Sequence, residues 1–162
     1  MAKAGYSVST SVDVALVATT AKTVLAILAP AQFGVDLRGV EVAFDGVTTT
    51  DKPVLVEIGL CTFATNNTPG TNNTNETANI TQIYGRSVVT GFTAFSNTTA
   101  AFEPTVITPV KILRLTPNGG TYDYDWPLGE TYDSAVSNGF VLRCTAPTSA
   151  VNVRASFRFE RT

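Results

Sequence analysis

The chain has 162 residues, of which 44% are hydrophobic and 15% are charged. This composition excludes an intrinsically disordered protein, and the length corresponds to one domain that can fold without a metal or a disulfide framework. The 11 basic and 13 acidic side chains give a formal net charge of −2, which argues against binding to nucleic acid. The sequence has no histidine, so the commonest general base and metal ligand is missing.

The sequence predicts a protein that is made in the cytoplasm and does not enter a membrane. The longest apolar run, residues 24–31, is interrupted by Pro30 and is far shorter than the roughly 18 residues that a spanning helix needs. Residues 1–10 lack the apolar stretch of a secretory signal. Cys61 and Cys144 each lie in an apolar run, so we expect two buried, reduced thiols rather than a disulfide.

The first half of the chain reads as successive strands. Residues 6–19 alternate between β-branched and polar side chains, which predicts a half-buried strand. Residues 20–29 fit either a short helix or a strand. Residues 33–44 predict a strand with an irregularity, such as a β-bulge, at Arg38-Gly39. Residues 53–63 form a largely apolar run, which is typical of a central strand of a sandwich.

The second half continues this pattern at residues 87–95, 106–115, 139–145 and 151–159. The last run has the clearest alternation, with one face made of Val151, Val153, Ala155, Phe157 and Phe159. About eight strands, separated by Gly and Pro turns, predict an all-β fold with little helix. We therefore expect residues 1–162 to form a single antiparallel two-sheet sandwich.

One segment interrupts this rhythm. Residues 64–81 contain six Thr and six Asn among 18 residues, and Ile80 is their only aliphatic side chain larger than Ala. Such a segment contributes little to a core, so we expect a surface excursion between strands. It is either a contact arm that becomes ordered on a partner or a tolerated low-complexity insertion.

Four acidic residues, Asp123, Asp125, Glu130 and Asp133, form the only cluster with the chemistry of a site. Oxygen ligands of this kind bind Ca²⁺, but residues 126–129 interrupt the cluster and no calcium-loop pattern is matched, which favours a solvated acidic rim. No carboxylate pair is singled out for glycoside hydrolysis, and no serine has a histidine partner. We therefore assign no catalytic, cofactor-binding or metal-binding residue and expect a protein that is not an enzyme.

Aromatic side chains alternate with two of these acids at Tyr122, Tyr124 and Trp126. Alternation places the aromatic rings on one face of a strand and the carboxylates on the other. The rings then face either the core, which we favour, or solvent, as an aromatic stripe for a partner.

Several stretches, in this order and spacing, resemble a family of small tailed-phage virion proteins, the capsid decoration (cement) proteins. The stretches are TAKTVLAILAPAQFGVDL (20–37), VAFDGV (42–47), KPVLVE (52–57), EPTV (103–106), TPNGG (116–120), WPLGE (126–130), NGFVLRCTAP (138–147) and VNVRASFRFE (151–160). The resemblance implies a jelly-roll-like fold and a homotrimer that binds the major capsid protein on the outer surface of the virion and stabilises the shell by bridging capsomers. Residues 64–81 fit this family poorly in length and composition.

Two segments are the predicted contacts with the capsid, because both have few apolar residues with which a core could hold them. They are an N-terminal arm, residues 1–11, and the excursion at residues 64–81. The candidate contact residues are Tyr6, Ser7, Asn66, Asn67, Asn72, Asn73 and Asn75.

A host-attachment or carbohydrate-binding module of a phage tail or spike is the alternative function. Surface aromatic rings such as those of Tyr122 or Trp126 would bind sugars in such a module. Attachment proteins commonly carry a shaft or repeat segment, and this sequence contains none.

Overall fold

The computed structural model describes residues 4–48, 52–62, 68–85, 87–104, 106–147 and 150–162. They form two antiparallel β-sheets packed face to face, which confirms the predicted all-β sandwich. The strands are β1 (Gly5–Ser9), β2 (Val14–Leu16), β3 (Ala21–Leu28), β4 (Val35–Phe44), β5 (Val54–Thr62), β6 (Thr74–Asn75), β7 (Thr81–Tyr84), β8 (Thr93–Ser96), β9 (Val106–Leu115), β10 (Thr121–Asp125), β11 (Tyr132–Ser134), β12 (Gly139–Thr145) and β13 (Val151–Arg161). Among the described residues, no helix is long and apolar enough to cross a membrane.

The strand order is β10-β4-β13-β1-β7 in the seven-stranded sheet and β6-β8-β3-β12-β5-β9 in the six-stranded sheet. In the first sheet, β11 also pairs with β4 and β2 also pairs with β13. The strands outnumber the expected eight because the run at residues 6–19 divides into β1 and β2, and because β6, β7, β10 and β11, with two to five residues each, lie outside the expected runs. The apolar run at residues 87–95 is a strand only at Thr93–Ser96.

Strand β13 forms the centre of the seven-stranded sheet and shows why the sandwich closes. Its five predicted core residues, Val151 to Phe159 in alternation, are all buried, whereas Arg154 between them is exposed. Burying a large apolar side chain stabilises the fold by about 1.5–3 kcal/mol. Strand β4 adds to the same face, and β3, β5 and β12 of the six-stranded sheet supply the opposing face of the core.

The predicted irregularity in β4 is confirmed. Arg158 of β13 pairs with Gly39, and the next residue, Phe159, pairs with Leu37, so Arg38 is the extra residue of a bulge. The ambiguous run at residues 20–29 is strand β3, which has a similar shift at Val24. Strand β3 lies between β8 and β12, and this tertiary pairing is what selects strand over helix.

The prediction of an N-terminal arm free of the core is wrong for residues 4–10. Strand β1 lies inside the seven-stranded sheet, between β13 and β7. Ala4, Tyr6 and Val8 point into the core, and Tyr6 is fully buried against Phe92 and Phe159. A few alternating apolar side chains are enough to hold a strand when both of its edges are paired.

The connection from β8 to β9, residues 97–105, has to cross β3, β12 and β5, because β8 and β9 lie on opposite sides of the six-stranded sheet. On the face of this sheet turned away from the main core lies a second small cluster of buried apolar residues: Ala26, Cys61, Phe95 and Val141. The six-stranded sheet therefore buries apolar side chains on both faces.

Candidate functional site

The outward face of the seven-stranded sheet carries paired charges. The Arg158 guanidinium lies between two residues of the predicted acidic rim: its Nε donates to Asp125 Oδ1 at 2.7 Å, and its Nη2 donates to Asp123. Gly39 lies beneath, where a Cβ would collide with Asp125 and Arg158. Both carboxylates are well exposed, so each pair contributes at most about 1 kcal/mol.

The other two residues of the acidic cluster lie apart from this pair of charges. Glu130 is exposed in the loop after β10, and Asp133 is exposed on β11. Within the described ranges, no group of three or more His, Cys, Asp and Glu side chains is arranged to hold a metal ion.

A second polar contact on this face joins β7 to β13. The Tyr84 ring covers Gly5, and its hydroxyl donates a hydrogen bond to Glu160. Arg38, the bulged residue of β4, places its Nε 3.5 Å from Glu160 Oε1. Burial and the hydrogen bond to Glu160 raise the pKa of Tyr84 to about 12. The sequence did not predict this contact, because its residues come from four separate strands.

The aromatic residues of β10 form a row that continues to β11. The rings of Tyr122 and Tyr124 stack with centroids 6.1 Å apart, and Trp126 makes edge-to-face contacts with Tyr124 and Tyr132. The Lys111 ammonium lies 5.7 Å from the Tyr124 centroid. Trp126 is 7% exposed, and Tyr122 and Tyr132 are partly buried against the core, as favoured from the sequence, whereas Tyr124 is 39% exposed. Trp126 is therefore not a surface platform for a sugar.

The structure places the predicted N-terminal contacts within β1. The Tyr6 side chain is inaccessible to a partner, because it is 0% exposed. Ser7 is half-buried on the outward face, opposite Arg158. Of these two candidates, only Ser7 retains a surface that a partner could reach.

The predicted contacts at residues 64–81 are partly engaged within the chain. Asn66 and Asn67 lie outside the described residues. Asn73 Oδ1 accepts a hydrogen bond from the Gly70 amide at 2.8 Å, and Asn75 Oδ1 accepts one from the Thr77 amide at 2.9 Å. The carbonyl of Asn72 accepts a hydrogen bond from the Thr99 amide at 3.0 Å. The first two bonds lie within the segment, and the third joins it to the connection after β8. Residues 68–81 are therefore attached to the sandwich rather than free of it.

The anchor is Glu76, a residue that sequence analysis did not single out. Its side chain is 0% exposed. Oε1 accepts hydrogen bonds from the Ser11 amide at 3.1 Å, the Ser11 hydroxyl at 2.9 Å and the Ser96 hydroxyl at 2.6 Å, and Oε2 accepts one from Asn79 Nδ2 at 2.6 Å. Glu76 is the sole charged residue between 64 and 81, and this was the available signal.

Glu103 anchors the connection that crosses the six-stranded sheet. Its carboxylate accepts hydrogen bonds from the Thr23 amide, at 2.7 Å, and from the Thr23 hydroxyl. Burial raises the pKa of Glu103, opposed by the bonds from Thr23 and by the nearby Arg143 and Lys22. Burial also lowers the pKa of Lys22, whose ammonium donates to the Ala15 carbonyl at 3.0 Å.

Apolar side chains are exposed along one side of the sandwich, at β7 and in the segment after it. Ile83 is 52% exposed and Val89 is 88% exposed, with Tyr84 and Val88 between them also partly exposed. Grouped apolar exposure of this kind marks a candidate contact surface.

Comparison with known proteins found no matching family model, no matching curated protein and no matching solved structure. The function proposed below therefore rests on the sequence resemblance and on the chain's own architecture.

Proposed function

We propose that this chain is a structural virion protein that binds the outer surface of a phage capsid and stabilises it by bridging capsomers. The observation that carries the proposal is where the resembling stretches lie in the sandwich. Residues 20–37, 138–147 and 151–160 contain β3, β12 and β13, which are interior strands of the two sheets. The resemblance thus covers the framework of an all-β sandwich, the architecture expected for a jelly-roll-like decoration protein.

Mass action explains how such a protein would reinforce a shell. A ligand that binds the assembled lattice and not the free subunits stabilises the lattice by its binding free energy at every occupied site. In a homotrimer, binding of the first subunit makes the second and third contacts intramolecular, which raises the overall avidity.

The proposed homotrimer is tested at the exposed apolar side of β7. Val89→Ser should weaken self-association if this surface is covered by a neighbouring copy. Val47→Ser is the matched control, because Val47 is 86% exposed, against 88% for Val89. Val47 follows the Phe44 end of β4, whereas β7 lies level with the Val35 end. The trimer would be contradicted if light scattering at micromolar concentration gives a monomer mass for the unmodified protein and if the protein is also monomeric on particles.

The capsid role is tested with particles that carry the protein and particles stripped of it. We expect stripped particles to break at a lower temperature and under milder osmotic shock, and re-addition of the purified protein to restore their resistance. Imaging of both preparations locates the added density. Equal robustness of the two preparations, together with binding of the purified protein to host cells, would favour the host-attachment function instead.

A further inference from the structure

One side of the sandwich is closed by a single stretch of chain, residues 68–84. Within it, β6 is the outermost strand of the six-stranded sheet and pairs with β8, and β7 is the outermost strand of the seven-stranded sheet and pairs with β1. We call residues 68–84 the edge cover. Without it, β8 and β1 would each present a row of unpaired backbone groups on the same side of the molecule, which is a template for pairing with another chain.

The edge cover makes few contacts of the kind that hold a strand permanently. β6 has two residues and β7 has four, and β7 loses register with β1 after Gly5. Next to β6, the Thr77 hydroxyl takes the place of a backbone partner and accepts a hydrogen bond from the Ala94 amide at 3.1 Å. Only Ile80 of this stretch packs its side chain against the main core. Backbone pairing alone is therefore a weak attachment.

Glu76 supplies what the pairing lacks. Four donors from three separate parts of the chain converge on its carboxylate: the Ser11 amide and hydroxyl from the β1–β2 turn, Ser96 from β8, and Asn79 from the cover itself. All four donors are neutral, and a carboxylate has about four sites for accepting hydrogen bonds. These four bonds offset part of the desolvation that burial of the side chain costs.

We propose that Glu76 is a latch that holds the edge cover closed, and that the cover prevents a second copy of this chain from adding strands to β1 and β8. With glutamine at position 76, an NH2 group, which cannot accept, replaces one of the two oxygens. Either the Asn79 amide or the three donors from Ser11 and Ser96 then lose their acceptor, which would free the cover locally. None of the donors to Glu76 lies in the central strands β12 and β13, so the pairing of these strands would persist.

Hydrogen exchange on the full-length purified chain tests the latch and requires no capsid, so its result is independent of the proposed virion role. Glu76→Gln keeps the shape of the side chain but removes two acceptor sites and the charge. We expect amides of residues 68–84 to exchange at least ~100-fold faster in this variant, with β12 and β13 unchanged. Glu130→Gln, at an exposed carboxylate, is the control and should exchange like the unmodified protein.

Sedimentation velocity gives the second readout. Glu76→Gln should form larger, concentration-dependent species that the unmodified protein and Glu130→Gln do not form. Unchanged protection of residues 68–84 overturns the latch, and so does an equal loss of protection in every strand, because Glu76 would then be a general stabiliser. If residues 68–84 lose protection selectively but no larger species form, the proposal that the edge cover prevents pairing with a second copy is overturned.

Discussion

At the scale of single residues, polar groups fix details that the apolar pattern leaves open. Gly5 leaves room for the Tyr84 ring on the outward face of β1, and the Tyr84 hydroxyl then reaches Glu160 on β13. An aromatic ring over a glycine in a neighbouring strand restores some of the cross-strand packing that glycine lacks. The edge strand β7 is thereby fastened to the second strand inward, beyond β1.

Tyr84 makes stability depend on pH in the alkaline range. The pKa of Tyr84 is about 12 in the folded chain, against the ordinary value of 10.0 expected on unfolding. Between these values the unfolded state loses the phenolic proton first, so the stabilisation is complete below pH 10 and declines as the pH rises towards 12. Urea unfolding across this range should show the decline in the unmodified protein and a smaller one in Tyr84→Phe. Identical pH profiles for the two proteins would contradict this assignment.

Substitutions at two adjacent residues, Tyr6 and Ser7, test whether the N-terminal segment is a buried strand or a free arm. Tyr6→Ala should lower the free energy of unfolding by about 3–5 kcal/mol, because it empties a fully buried site between Phe92 and Phe159. Ser7→Ala, one position along on the outward face, should change it by less than about 0.5 kcal/mol. Chemical denaturation measures both. Similar, small effects of the two substitutions would mean that residues 4–10 are not held by the core.

At the scale of elements, a bulge leaves a backbone amide without a partner in the sheet, and a side chain distant in sequence accepts its hydrogen bond. The shift at Val24 in β3 takes the Thr23 amide out of regular pairing, and Glu103 accepts its hydrogen bond from a segment 80 residues later. The connection between β8 and β9 is thus tied to β3.

Removing this tie should destabilise the protein measurably. Glu103→Ala leaves the amide of fully buried Thr23 without its partner, which costs about 1–3 kcal/mol in urea unfolding. Glu130→Ala, at an exposed acidic residue, is the matched control and should have no effect beyond about 0.5 kcal/mol. A loss of stability that is equal in the two variants would show that the Thr23 bond contributes nothing.

At the scale of the whole molecule, the six-stranded sheet has apolar packing on both faces, and one cysteine lies on each face. Cys144 lies in the main core and Cys61 in the small cluster on the other face. Burial raises the pKa of both thiols well above the ordinary value, so neither is a reactive thiolate in the folded state.

Thiol labelling should therefore separate local from global opening. We expect both thiols to be reduced in freshly purified protein and to react with Ellman's reagent far more slowly than free cysteine. Cys61 should react before Cys144, because Cys61 is 4% exposed and belongs to the small cluster, whereas Cys144 is 0% exposed and belongs to the main core. Peptide mass spectrometry identifies the order, and simultaneous labelling of the two thiols would show that the sandwich opens only as a unit.

The sequence by itself determined the fold class, most of the long strands and the bulge at Arg38, because alternation and glycine placement are local properties that one strand displays alone. Only the tertiary structure decided that Tyr6 is core rather than contact surface, that residues 20–29 are a strand, and that Glu76 and Glu103 are anchors. The donors to Glu76 come from Ser11, Asn79 and Ser96, and the donors to Glu103 come from Thr23. No local pattern records such partners, since a polar side chain is buried only where the fold brings enough hydrogen-bond donors to it.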